Sequence, residues 1–174
     1  MAASDAKPTA AFGFYTVVDH AQFGLIGGYL LLNVRGRPLE FHCTAPVKPT
    51  RAQTILFGAT LEPYLYGEHI GQTLIQKAET AASVVCTDLA AALAVRPHVR
   101  VPVVRVVGRD EGSHPPAIGT AFNLGATRLA VANGYEDDES LIAERLAPFV
   151  AAMPLNEPFE RIRQAIDESQ RSGK

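Results

Sequence analysis

The sequence is poor in cysteine, the residue that forms disulfide cross-links in small folds and commonly binds zinc. It has no tryptophan and only two cysteines in 174 residues, which is too few for a disulfide framework. Neither Cys43 nor Cys86 belongs to a CxxC pair or to a Cys/His cluster with zinc spacing. The sequence therefore predicts two reduced, buried thiols, as is typical of a cytosolic protein.

Long apolar runs are also missing. The longest, residues 24–32, is far shorter than the roughly 20 residues that cross a bilayer. Residues 1–15 contain one lysine and no apolar core of signal-peptide length. We expect a soluble, cytoplasmic protein.

A strong charge of either sign is absent as well. The formal net charge is −2, which argues against a tight nucleic-acid binder and gives no drive toward anionic lipid. The charge is uneven, because residues 1–109 carry ten Lys/Arg against seven Asp/Glu and residues 110–174 carry six against eleven. The two halves could dock on each other or on different partners.

The chain has enough length and apolar content for one hydrophobic core. Hydrophobic residues make up 47% of the 174 positions, and a domain of this size needs no disulfide or metal to be stable. We expect a single globular domain over residues 11–170. The small, polar segments 1–10 and 171–174 are predicted to be disordered.

The first half predicts an antiparallel meander. Phe12 to Val18, Gly24 to Asn33 and Pro38 to Thr44 read as three strands, the last with apolar residues at alternate positions. The glycine pair Gly27 and Gly28 inside the second strand suggests a bulge or close packing.

Helices and a parallel crossover are expected next. Thr50 should cap a short helix that ends at Phe57, and a second helix should start near Pro63. Ser83 to Cys86, Asp88 to Val95 and Val99 to Val107 then read as strand, helical turns and strand.

The last part predicts a loop, a strand and two helices. The loop is placed at residues 108–117, and one strand-like stretch at 120–132. The helices are indicated by the apolar positions Phe149, Phe159, Ile162 and Ile166. The predicted fold class is therefore α/β, with a mixed sheet of five or six strands that starts with the three-strand meander and is flanked by helices.

The stretch VVCTDLAAAL, residues 84–93, raises the main functional question. Asp88 stands where a buried strand gives way to helical turns. It is either a catalytic carboxylate at the end of the strand or the N-cap of the following helix, accepting from the amides of Ala90 or Ala91. We favour the cap.

The alternative depends on three carboxylates in a suggestive order. Asp19 ends the first strand, Glu68 lies on the helix after the meander, and Asp88 ends the fourth strand. This layout resembles the ribonuclease-H-like fold over residues 12–107. The resemblance implies a nuclease whose carboxylates, Asp19, Glu68 and Asp88, hold Mg²⁺ or Mn²⁺. Asp137 or Asp138 could add a fourth ligand.

Each of these residues also has a structural interpretation. Asp19 can open a turn, Glu68 can lie on a helix surface with its stem on apolar neighbours, and Asp88 can cap. Acidic caps are more common than acidic catalytic clusters, and the structural interpretation is therefore preferred.

Three functions remain open on the sequence alone. The leading prediction is a non-catalytic binding or assembly module without a cofactor, which binds a protein partner or a second copy through Glu136 to Gln170. The second is the metal-dependent nuclease. The third is a small-molecule-binding regulatory domain that uses a crevice near Thr87 and Asp88.

Overall fold

The computed structural model describes residues 10–108 and 118–173, in which helices cover both faces of a mixed seven-stranded sheet. The strand order is β3-β2-β1-β4-β5-β7-β6. The strands are β1 (Phe12–His20), β2 (Gly24–Leu32), β3 (Pro38–Cys43), β4 (Val84–Thr87), β5 (Val103–Val106), β6 (Thr120–Leu124) and β7 (Thr127–Val131).

Within the described residues, five α-helical segments and three helical segments of other types connect or cover these strands. The α-helical segments are α1 (Arg51–Phe57), α2 (Leu61–Pro63), α3 (Thr73–Lys77), α4 (Asp138–Ala152) and α5 (Glu157–Ser172). A 3₁₀ turn at Gly58–Thr60 precedes α2, a π-helix at Tyr64–Gln72 joins α2 to α3, and a 3₁₀ helix at Ala90–His98 links β4 to β5. None of the helices in the described part of the chain has the length and apolarity needed to cross a membrane.

The α/β class, the antiparallel meander and the two C-terminal helices are confirmed. β1 pairs antiparallel with β2, and β2 with β3, while β4 runs parallel to both β1 and β5. The strand count is higher than expected because the single stretch predicted at 120–132 is a hairpin. It turns at Gly125, whose φ of +61° suits glycine.

The predicted ends of the chain fall largely outside the description. Residues 1–9 and Lys174 are not among the described residues, nor are residues 109–117 of the predicted loop. At the C-terminus, α5 continues through Ser172, which is past the expected domain end at Gln170.

The local prediction at Thr50 is confirmed in detail. The Thr50 hydroxyl accepts from the Gln53 amide at 3.1 Å, and the Gln53 side chain accepts from the Thr50 amide at 2.9 Å. This reciprocal capping box satisfies two amides that would otherwise lack partners at the start of α1.

Alternating residues of β1 feed two cores on opposite faces of the sheet. Phe12 and Phe14 point toward α4 and α5, while Tyr15 and Val17 point toward the helical segments between residues 61 and 98. Phe149 of α4 packs with ring centroids 5.1 Å from Phe12 and 5.2 Å from Phe14. The C-terminal helices therefore cover one of the two hydrophobic cores.

This packing corrects the predicted association surface at Glu136 to Gln170. The four apolar side chains on which that prediction depended are each at most 1% exposed: Phe149, Phe159, Ile162 and Ile166. They are buried against the sheet of the same chain and present no apolar face to a partner.

The glycine pair in β2 allows close packing on both faces. A Cβ on Gly27 would lie 2.2 Å from Ile70 Cγ2, and one on Gly28 would lie 2.4 Å from Ile162 Cγ2. Helices on the two sides therefore rest directly on the β2 backbone. Of the two predicted explanations for the glycines, close packing is the one observed here.

Edge strand β3 differs from its prediction. Leu39 is 44% exposed and Phe41 38% exposed, and Cys43 is also exposed. The expectation of two buried thiols holds only for Cys86, where burial raises the thiol pKa well above its usual range. Strand periodicity identified which residues share a face, but it did not identify the face that helices cover.

Glu40 fastens this edge strand to the segment after α3. Its carboxylate accepts from the amides of Thr80 at 2.5 Å and Glu79 at 3.1 Å, and it lies 2.8 Å from His42 Nε2. The hydrogen bonds, those of Thr80 first and His42 second, lower the pKa of Glu40 to about 2.

We therefore expect acid to weaken the contact that Glu40 makes between β3 and the segment after α3. The folded-state pKa lies below the unfolded value of 4.5, so the stabilisation is complete above that value and is lost as pH falls toward 2. The thermal unfolding midpoint is measured for wild type and for Glu40→Gln at about pH 5 and at about pH 2. The drop in midpoint between the two pH values should be larger for wild type than for Glu40→Gln. Equal falls in the two proteins would contradict this role of Glu40.

Candidate functional site at the carboxyl edge of the sheet

Asp88 lies at the carboxyl end of the central parallel strands. β4 ends at Thr87, and Tyr15 of β1 is paired with Thr87, which places Thr16 level with Asp88. The Thr16 hydroxyl donates to Asp88 Oδ1 at 2.6 Å. Ligands of open α/β sheets commonly bind at this edge.

The second oxygen of Asp88 is engaged by α5. Arg163 donates through Nη2 to Asp88 Oδ2 and through Nη1 to Glu160 at 2.9 Å. Partial burial opposes the charged form of Arg163, but the two carboxylates outweigh this effect and raise its pKa. The guanidinium therefore stays charged and holds Asp88 in an ion pair.

The question raised by VVCTDLAAAL has an answer that neither sequence hypothesis contained. The 3₁₀ helix begins at Ala90 without a side-chain cap, so the predicted Asp88 cap is wrong. The nearest equivalent is the Thr87 hydroxyl, which accepts from the Leu89 amide at 3.3 Å. Asp88 is instead a tether between β1, β4 and α5.

Asp19 faces the other side of the sheet. It lies three residues beyond Thr16 on β1, and an odd separation reverses the face. Three strand residues also span about 10 Å. Asp19 lines a pocket of about 400 Å³ with Leu65 and Glu62. Burial first, and the charges of Glu62 and Asp19 after it, raise the pKa of the adjacent Tyr66.

Glu68 is separate from both aspartates in its contacts. It lies on the π-helix, has a side chain 48% exposed, and approaches His98 Nε2 at 3.4 Å. Asp138, a suggested fourth ligand, pairs with Arg96 at 2.7 Å. Within residues 10–108 and 118–173, no three His, Cys, Asp or Glu side chains are grouped so that they could hold a metal ion.

The crevice predicted near Thr87 and Asp88 presents few free polar groups that could bind a small molecule. Thr87 is completely buried, and both carboxylate oxygens of Asp88 already accept hydrogen bonds. The regulatory-domain hypothesis therefore receives no support from these two residues.

A pocket at the same edge was missed by the sequence analysis. It has a volume of about 300 Å³ and lies between the β1–β2 turn and the end of α5. The rings of His20 and Phe23 lie 4.7 Å apart within it. Its lining residues are His20, Gln22, Phe23, Asp167, Gln170 and Arg171.

The turn holds the His20 ring in one orientation. His20 Nδ1 accepts from the amides of Gln22 at 3.1 Å and Phe23 at 3.3 Å, which leaves the ring proton on Nε2. The signal in the sequence was an aromatic residue, Phe23, three positions after a histidine, and this pattern alone predicts no function.

Helix periodicity connects the pocket with the ion pair. Arg163, Asp167 and Arg171 are spaced by four residues, so they follow one another along the same side of α5. The eight residues from Arg163 to Arg171 rise by about 12 Å. The carboxyl edge thus carries a short strip of polar and charged groups that ends at two aromatic rings.

Comparison with known proteins identifies the fold. No protein-family model and no curated protein matches this sequence. Among solved structures, endonuclease V of Ciona intestinalis in complex with a DNA that contains inosine is 11% identical, with a TM-score of 0.55 over 97% of this chain and 89% of that one. The catalytic domain of human endonuclease V is 14% identical, with a TM-score of 0.54 over 94% of this chain and 85% of that one.

A further structure of human endonuclease V is 13% identical at a TM-score of 0.50, covering 94% and 87% of the two chains. These similarities and the buried C-terminal helices overturn the prediction of a non-catalytic assembly module with nucleic acid as a poor partner. The chain therefore shares the fold of these endonuclease V structures.

Proposed function

We propose that this chain binds a strand of nucleic acid across the carboxyl edge of its sheet, as a protein built on a nuclease fold. The observation that carries the proposal is the pocket in which His20 and Phe23 lie beside Arg171. Aromatic rings stack on bases, and an arginine at the same place can contact a phosphate. The pocket volume of about 300 Å³ leaves room for a base.

The polar strip on α5 extends this site toward Asp88. Arg163 and Arg171 lie on one side of the helix, about two turns apart. Arg163 is already paired with carboxylates and is 37% exposed, whereas the described structure assigns no carboxylate partner to the exposed Arg171. Arg171 is therefore the stronger candidate for a phosphate contact.

The metal implied by the ribonuclease-H-like resemblance does not fit the residues that should hold it. Asp19 faces the opposite side from Asp88, Glu68 contacts His98, and Asp88 is paired with Arg163. A two-metal centre needs carboxylates around ions about 4 Å apart. We therefore assign no hydrolytic step to these three side chains.

The charge of the chain sets the expected salt dependence. With a net charge of −2 and one or two arginines at the edge, binding should involve about two phosphates. The logarithm of the binding constant should fall with the logarithm of salt concentration with a slope of about −1.4 for a single strand. Fluorescence anisotropy of a labelled oligonucleotide at several salt concentrations measures this slope. A slope of −5 or steeper would require a basic surface other than this edge.

A pair of matched arginine variants tests the location. Arg171→Gln removes one charge from the carboxyl edge, and Arg145→Gln removes one from α4, where Arg145 donates to the Ser83 carbonyl before β4 begins. We expect Arg171→Gln to weaken oligonucleotide binding about tenfold and Arg145→Gln to change it less than twofold. Equal losses in both variants would refute the carboxyl-edge site.

A further inference from the structure

Arg163 is the cation that the fold provides at Asp88. Its guanidinium donates to Asp88 and to Glu160, which are the two carboxylates in contact with it. We infer that Arg163 takes the charge-balancing place of a divalent ion at this strand end and closes the Asp88 site to Mg²⁺ and Mn²⁺. This inference goes beyond nucleic-acid binding and does not depend on it.

The donor set at Asp88 supports the inference. A hard divalent ion needs several oxygen ligands, and carboxylates supply the charge that holds it. Both Asp88 oxygens are already acceptors, one from the Thr16 hydroxyl and one from Arg163. A metal ion would therefore have to displace a guanidinium from an ion pair whose carboxylate side chain is only 21% exposed.

The strand register identifies what else the site lacks. The residue of β1 level with Asp88 is Thr16, which is neutral and completely buried. The carboxylate on the same strand, Asp19, lies on the opposite face. A second carboxylate beside Asp88 would have to replace Thr16, and aspartate is close to threonine in size.

Two changes should therefore open the site. Arg163→Gln removes the internal cation while keeping a side chain that can donate to Asp88. Thr16→Asp adds a carboxylate whose position is fixed by the β1–β4 register. Because the Arg163 side chain is 37% exposed, its loss removes little packing from the core.

Mn²⁺ binding, followed by the paramagnetic resonance signal of the free ion, tests this inference without any activity assay. Wild type and Asp88→Asn should bind Mn²⁺ equally weakly. Thr16→Asp/Arg163→Gln should gain a site at least tenfold tighter. The matched control is Thr16→Asp/Arg161→Gln, which keeps Arg163 and removes an arginine that contacts Gly36 and Glu157 instead; it should gain less than the first double variant.

Two results would overturn the inference. The first is tight Mn²⁺ binding by wild type that Asp88→Asn abolishes, and this comparison needs no destabilised variant. The second is a double variant that unfolds cooperatively near the wild-type temperature and yet binds no more Mn²⁺ than wild type. Neither result would bear on oligonucleotide binding by Arg171, so this inference and the proposed function can fail separately.

Discussion

Replacing Phe149 by alanine should lower the free energy of unfolding by about 3–5 kcal/mol. Phe149 is completely buried and packs on Phe12 and Phe14 of β1. Its removal leaves a cavity under α4 that the rigid sheet cannot fill. Urea unfolding monitored by circular dichroism measures the loss, which is large compared with a total stability of about 5–15 kcal/mol.

Leu141 provides the matched control on the same helix. It is 36% exposed, and Leu141→Ala should cost less than about 1 kcal/mol because little apolar surface is lost. If Phe149→Ala were as mild as Leu141→Ala and instead dissociated an oligomer, the C-terminal helices would be an association surface and the packing described here would be wrong.

The second large effect concerns the aromatic pocket. Phe23→Leu combined with Arg171→Gln should weaken single-strand binding about a hundredfold, because it removes a stacking ring worth about 1–3 kcal/mol and a charge-assisted contact worth about 1.5–3 kcal/mol. Leucine keeps the apolar contact that partly buried Phe23 makes with the core, and Arg171 is exposed. Stability should therefore change little.

The same anisotropy measurement reports the loss, and thermal unfolding confirms that the variant is folded. Arg145→Gln again serves as the control for charge alone. A double variant that binds the oligonucleotide as tightly as wild type would exclude both His20–Phe23 stacking and the Arg171 contact from the binding site.

Periodicity and caps predicted much of the fold. The first two strands of the meander were predicted from aromatic, β-branched and apolar stretches, the third from its alternating apolar residues, and α1 from the N-cap residue Thr50, since these signals are local. The β6–β7 hairpin was missed because its turn at Gly125 lies inside a continuous strand-like stretch. The solvent-exposed face of β3 was predicted wrongly because tertiary packing alone decides which face of a strand the helices cover.

The candidate site was much harder to predict. Asp88 is 72 positions from Thr16 and 75 positions from Arg163, the two residues that contact it. Only the β1–β4 register and the path of α5 bring these three residues together. The sequence pointed to Asp19 and not to Thr16 because a carboxylate at a strand end is conspicuous in a sequence, whereas strand register is not. The side on which Asp19 falls is set by its odd separation from Thr16.

The prediction of an association surface in the C-terminal region was wrong for a related reason. An acidic start and four large apolar residues on two helices suggested a surface for a partner. The same pattern serves the sheet equally well, because Gly28 leaves the β2 backbone open to Ile162. A glycine in one element and an apolar residue in another become informative only when their contact is known.

The most direct test of nucleic-acid binding at the carboxyl edge is to locate a bound strand. A single-stranded oligonucleotide with a photoreactive base is crosslinked to wild-type protein, and the attached peptides are identified by mass spectrometry. The account predicts crosslinks to the β1–β2 turn at His20 and Phe23 and to the end of α5 near Gln170, suppressed by unlabelled competitor. Competable crosslinks confined to residues outside this edge, such as those around Ser83 and Arg145, would contradict it.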